Sequence, residues 1–136
     1  MKIAVVNVPA TSKGIQDYAR TLAIGMGSMG HEVDILDAWT EDSHKLTAYD
    51  YVAVCAEPVF IFGGKIPEVL AGFLAGGNGV LGKKSAAFIV KTTPFHIDKA
   101  LANLMQIMEK EGMMINWNEV IRSVPQAEKL GKQIGP

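Results

Sequence analysis

Thr11, Ser12 and Gly14 stand together in the stretch "VPATSKGIQDYA", where an apolar run gives way to a helical pattern. Hydroxyls and a glycine at the start of a helix suit an anion such as a phosphate, because the first N–H groups of a helix lack partners and carry partial positive charge. The same residue types also suit a plain helix cap, and on these residues alone both readings stand. Two further loops are richer than simple connectors. In "EPVFIFGGK", Phe60 and Phe62 lie among Pro and Gly, where a turn would ordinarily be polar. Rings placed there can wall a flat ligand, or they can be core or cover an interface. In "TTPFH", Thr92 and Thr93 precede Pro94 and Phe95, and the alternative to a binding role is a Thr N-cap with Pro at the first helical position. His96 shows no sequence partner for acid–base chemistry.

Several other chemistries find no residues to carry them. Cys55 is the single cysteine, so no internal disulfide forms, and its apolar run marks it as a small core residue. His31, His44 and His96 are scattered, and no metal site is expected. A triphosphate-binding G-x-x-x-x-G-K-[ST] loop is missing, and no G-x-G-x-x-G follows the first strand. A phosphoacceptor site would need an acidic pair after the first strand and an Asp ending the third, but Asn7 and Glu57 stand near those places. The formal net charge of -1 gives no reason to expect a nucleic-acid or membrane-surface partner.

The elements that must position these loops follow from the apolar pattern. The 136 residues, 49% hydrophobic and 20% charged, fit one soluble domain spanning 1–136. "IAVVNV" is too brief for a signal-peptide core, so a cytoplasmic protein is the expectation. "KIAVVNV", "YDYVAVCAE" and "KKSAAFIVK" are continuous runs, as in strands buried on both faces of a parallel sheet. "HEVDILD" alternates and belongs at a sheet edge, and "MMINWNEVIRS" supplies a fifth strand. Ile15, Tyr18, Ala19, Leu22, Ala23 and Met26 form one face of an amphipathic helix, with Gly30 at its end. Ile66 to Leu74 and Ile97 to Met108 repeat the pattern, and "PQAEKLGKQI" forms a short last helix. The polar segment "AWTEDSHKLTA" predicts a helix that is short or missing. Strands alternating with helices imply βαβ crossovers and an α/β architecture, with ligands bound outside the carboxyl ends of the strands.

Taken together, the loops at 11–16, 58–63 and 92–95 resemble those of the flavodoxin-like family, and the resemblance covers essentially the whole chain. That family carries a T/S-x-T-G-x-T loop after the first strand, matched here by Thr11-Ser12-Lys13-Gly14-Ile15-Gln16. Its second loop is matched by Pro58, Phe62 and Gly63 before "IPEVLAGFL", and the tail "PQAEKLGKQI" is similar to its last helix. The resemblance implies a three-layer α/β/α sandwich with a five-stranded parallel sheet in the order 2-1-3-4-5. It also implies FMN as cofactor, with electron transfer or reduction of a small acceptor as function. Thr11, Ser12, Lys13, Gly14, Ile15 and Gln16 would hold the phosphate. Pro58, Phe60, Phe62 and Gly63, with Thr92, Thr93 and Phe95, would enclose the flavin ring. The chain departs from the pattern on the site itself, where Lys13 and Gln16 replace two threonines and the second loop is one residue longer. It is also nearly neutral where electron-carrier flavodoxins are acidic. The implied partners are flavin and either a redox protein or a small acceptor, and whether the chain is an enzyme stays open. The other reading is a flavodoxin-fold binding or assembly module without flavin.

Overall fold

The computed structural model describes residues 1–11, 15–59, 63–76, 79–92, 94 and 96–134, with the backbone alone at 43–45. The described residues form strands β1 (Lys2–Val8), β2 (Glu32–Asp37), β3 (Tyr51–Ala56), β4 (Lys84–Val90) and β5 (Met114–Ile121). Helices α1 (Asp17–Ser28), α2 (Val69–Ala75), α3 (Ile97–Lys110) and α4 (Val124–Gln133) connect or follow them. All paired strands run parallel in the order β2-β1-β3-β4-β5, as the sequence pattern and its resemblance implied. The polar segment after β2 holds a 3-10 turn, Ser43–Ala48, in place of a full helix.

The central strands are mostly apolar because both of their faces are covered, with Asn7 and Ser85 as the buried polar exceptions. Ile3, Val5, Tyr51, Ala53 and Phe88 pack with Leu22 and Met26 of α1 and Leu130 of α4. Val6, Val52, Val54 and Ile89 point the other way, toward Leu70 and Leu74 of α2 and Leu104 and Met108 of α3. Alternate side chains of one strand thus feed two separate cores, as the two-residue period of a strand requires. The edge strand β2 carries the alternating burial that its sequence predicts.

Two irregularities adjust this frame. The ladder from β4 to β5 shifts between Ser85 and Ala86, which pair with Ile115 and Trp117 and leave Asn116 as an extra residue. Ile115 and Trp117 consequently join opposite cores although they are two residues apart. Asn116 accepts a hydrogen bond from the Tyr51 hydroxyl, and burial pushes that phenol up to about 12. Helices α1 and α4 meet at two glycines. A Cβ on Gly25 would collide with the Glu128 carbonyl, and one on Gly131 with the Leu22 carbonyl. At the amino-terminal end of the sheet, the Lys83 ammonium donates to the carbonyls of Leu46 and Tyr49 and ties the 3-10 turn to β4. Burial lowers the pKa of Lys83, while the nearby Asp50 acts in the opposite sense.

The consequence for function lies at the other end. The chain leaves β1 through α1 to reach β2 on one side, and leaves β3 through α2 to reach β4 on the other. Between β1 and β3 the connections diverge, and a crevice opens outside the carboxyl ends of the strands.

Candidate functional site

The crevice is built from the exits of β1, β3 and β4. At the first exit, the Glu57 carboxylate accepts from the Ala10 N–H at 2.8 Å, and the Glu57 N–H donates to the Val8 carbonyl at 2.9 Å. The end of β3 thereby fixes where the first loop begins. On its other flank, the Trp39 indole N–H donates to the Pro9 carbonyl at 3.0 Å, and the Trp39 backbone N–H donates to Asp37 Oδ1 at 2.8 Å. A single strand exit is therefore held from both neighbouring strands.

Of the residues expected to hold a phosphate, Thr11, Ile15 and Gln16 are described, while Ser12, Lys13 and Gly14 lie outside the described residues. Thr11 and Ile15 are exposed and Gln16 is half-buried. Gln16 occupies the N-cap position of α1 in an extended conformation, and among the described residues no side chain caps the helix. The plain reading offers Thr11 or Ser12 as the cap; the N-cap position falls on Gln16 and not on Thr11, and Ser12 lies outside the described residues. Both polar atoms of the Gln16 side chain, Oε1 and Nε2, are buried and meet no hydrogen-bond partner among the described residues. A buried amide without partners costs about 1–3 kcal/mol. Asp17 opens the helix as an exposed carboxylate bridged to Arg20 at 3.3 Å.

The second loop closes on itself, since the Val59 N–H donates to the Lys65 carbonyl at 2.8 Å. Pro58 is buried at its base, and Phe60 and Phe62 lie outside the described residues. Gly63 and Gly64 both have positive φ, 58° and 81°. Gly64 turns hard against the start of α3, where a Cβ would crowd the Ala100 nitrogen and the His96 carbonyl. Asn103 of α3 donates from Nδ2 to the Gly64 carbonyl at 3.0 Å. The second loop is consequently anchored on the helix that follows the third.

In the third loop, Lys91 and Thr92 are exposed, and Thr93 and Phe95 lie outside the described residues. The N-cap of α3 is His96 in the left-handed region, φ 58°, with no side-chain cap. A Thr cap followed by Pro at the first helical position therefore does not occur, because α3 starts three residues after Pro94. Cys55 is fully buried in β3, where burial pushes its thiol up to about 12 with Glu57 adding to the rise, so it is inert packing.

The structure brings the described parts of all three loops to one edge. It adds two residues that sequence reasoning had not placed there. Trp39 sat in a weakly periodic polar segment, and only its contact with Pro9 brings it to the site. Glu57 carries no motif, and its role as a brace between strand exits depends on the register of β1 against β3.

No family model and no curated protein matches the chain. Solved structures do. A flavodoxin from the domain Archaea aligns with a TM-score of 0.72 at 19% identity, covering 98% of this chain and 95% of its own. Flavodoxin 1 from Bacillus cereus aligns at 0.70 and 17%, with 96% and 95% covered. The chain has the flavodoxin-like fold. A protein described as a flavone reductase aligns at 0.75 and 13% identity, and this flavodoxin-like chain spans 62% of its length. At these identities the likeness is one of fold. Among the described residues, no helix is long and apolar enough to cross a membrane.

Proposed function

We propose that the chain is an FMN-binding redox protein that passes electrons to a protein partner or a small acceptor. The observation that carries the reading is the Gln16 side chain, an amide with both polar atoms buried and unpartnered at the start of α1. An amide offers two donors and an acceptor, and phosphate oxygens take donors readily. The first turn of α1, which no side chain among the described residues caps, adds backbone N–H groups and a partial positive charge in the same place. These features fit the phosphate end of FMN.

In this reading Thr11, Ser12, Lys13, Gly14, Ile15 and Gln16 bind the phosphate. Pro58, Phe60, Phe62 and Gly63, together with Thr92, Thr93 and Phe95, enclose the ring. FMN supplies the one- and two-electron chemistry, and the protein's part is binding, stacking and local charge. The exposed Lys91 at the end of β4 favours a negatively charged ring and raises its potential relative to an acidic site. Structural likeness to flavodoxins and to a flavone reductase supports a flavin role of this class.

The deciding experiment is a titration of the purified protein with FMN, followed by desalting. A yellow protein and quenched FMN fluorescence are expected, and Gly14→Val abolishes both by filling the cradle. A colourless protein that leaves FMN fluorescence unchanged overturns the reading in favour of a binding or assembly module without flavin. Unchanged affinity in Gly14→Val removes the phosphate assignment even if the protein is yellow.

A further inference from the structure

A second cavity, of about 530 Å³, opens between the exits of β1 and β2 and the second loop. Trp39, Val59, Pro67 and Val69 form its walls, with Ala10 at the β1 side. None of the described residues of the third loop, Lys91, Thr92, Pro94 and His96, lines it. Its described lining includes none of the residues assigned to FMN, although Ala10 and Val59 adjoin the first and second loops.

Its chemistry is narrow. The indole of Trp39 is pinned through Nε1 to the Pro9 carbonyl, so its remaining apolar ring surface is what it can offer to the cavity. At 39% exposure, the ring is partly open to solvent. Two backbone donors on the lining are already engaged. The Ala10 N–H is held by Glu57, the Val59 N–H by the Lys65 carbonyl, and Pro67 has no N–H. The charged lining residues, Lys65 and Glu68, pair with each other at 3.3 Å. That pair lies at the exposed rim, so the walls a ligand meets inside are the apolar ones. The volume falls within the range of small-molecule sites, which are lined mainly by apolar and aromatic groups.

We propose that this cavity binds a neutral, flat aromatic molecule against the Trp39 ring. The inference stands independently of flavin binding, since it uses neither the phosphate loop nor the third loop.

The test is a titration of the full-length protein with 2-naphthol, with and without saturating FMN, followed by the two indole N–H resonances. The expected result is one saturable site, with the Trp39 resonance shifting while that of Trp117 stays in place. Trp39→Leu weakens binding about tenfold through loss of the stacked face. Val69→Phe, which fills the cavity from α2, weakens it at least as much. Naphthalene-2-sulfonate, flat but charged, binds several-fold more weakly than 2-naphthol. Absence of saturable binding overturns the proposal, as does affinity unchanged in both variants or equal affinity for the sulfonate. Competition between 2-naphthol and FMN also overturns it, by placing the ring in the flavin space. FMN binding is read separately by fluorescence, so a protein that binds 2-naphthol but no FMN upholds this site and sinks only the flavin reading.

Discussion

Helices α1 and α4 lie against each other, begin at the same edge of the sheet, and start in opposite ways. The first turn of α4 is closed. Ser123 Oγ accepts from the Gln126 N–H at 3.3 Å, and Gln126 Oε1 reaches back to the Arg122 N–H at 2.7 Å. Its amide nitrogen meets Glu119 Oε2 and the Val120 carbonyl as well. This reciprocal arrangement is a variant of the capping box. The start of α1 also places a glutamine, Gln16, but among the described residues no side chain caps the helix and the amide is buried without a partner. The same residue type is saturated at one helix start and unsatisfied at the other. A saturated N-terminus contributes stability, and the donors left at the start of α1 are the ones the proposed phosphate would take.

The largest effect tests the frame that holds the two helix starts in place. Gly131→Ala drives a Cβ into the Leu22 carbonyl and is expected to cost about 3 kcal/mol, read by urea denaturation. Gly25→Ala strains the same crossing, so the double variant should lose less than the sum of the single losses. Strict additivity would show that the helices are not locked at one contact.

Gln16→Leu sharpens the comparison directly, because its two expected effects have opposite signs. Removing an unpartnered buried amide raises the stability of the ligand-free protein by about 1–2 kcal/mol. The same change weakens FMN binding about tenfold, one lost hydrogen-bonding group to an anion. A fall in ligand-free stability would mean that the amide is already satisfied, and the contrast with Gln126 would collapse.

Ser123→Ala is the counterpart at α4. It should cost about 1 kcal/mol of stability through the lost cap and leave FMN affinity unchanged. A shift in FMN affinity would break the separation of the two helix starts.

The smallest effect concerns the core beneath the site. The thiol of Cys55 rises from 9.0 to about 12 on folding, because burial disfavours the thiolate. Above pH 9 the unfolded chain releases this proton while the folded chain keeps it, so stability falls as pH rises. Cys55→Ala should flatten the alkaline part of a pH series of melting temperatures. An unchanged slope would assign the loss to the tyrosines, Tyr49 and Tyr51, which burial also raises to about 12.

Particular elements show how far the chain was legible before its coordinates. The β1, β3 and β4 runs are apolar at most positions because helices cover both faces, and that pattern needs no tertiary information to read. The start of α3 was less legible. Pro94 after two threonines is a local signal for a helix start, yet His96 takes the N-cap in a left-handed conformation. The competing influence is the Gly64 turn, which packs on the His96 carbonyl and fixes where the helix can begin. Trp39 gave no periodic signal because its role depends on a strand neighbour about thirty residues away, through the bond to Pro9.

Hydrophobic period and turn chemistry act over a few residues, so element types, their order and the loops at the carboxyl edge could be read along the chain. Register, close approach and satisfaction of polar groups depend on residues far apart in sequence. Only the packed molecule decided that Glu57 would brace Ala10, that Gln126 would find partners, and that Gln16 would meet none among the described residues. Burial makes those differences large, because an amide costs little in water and much once water is excluded.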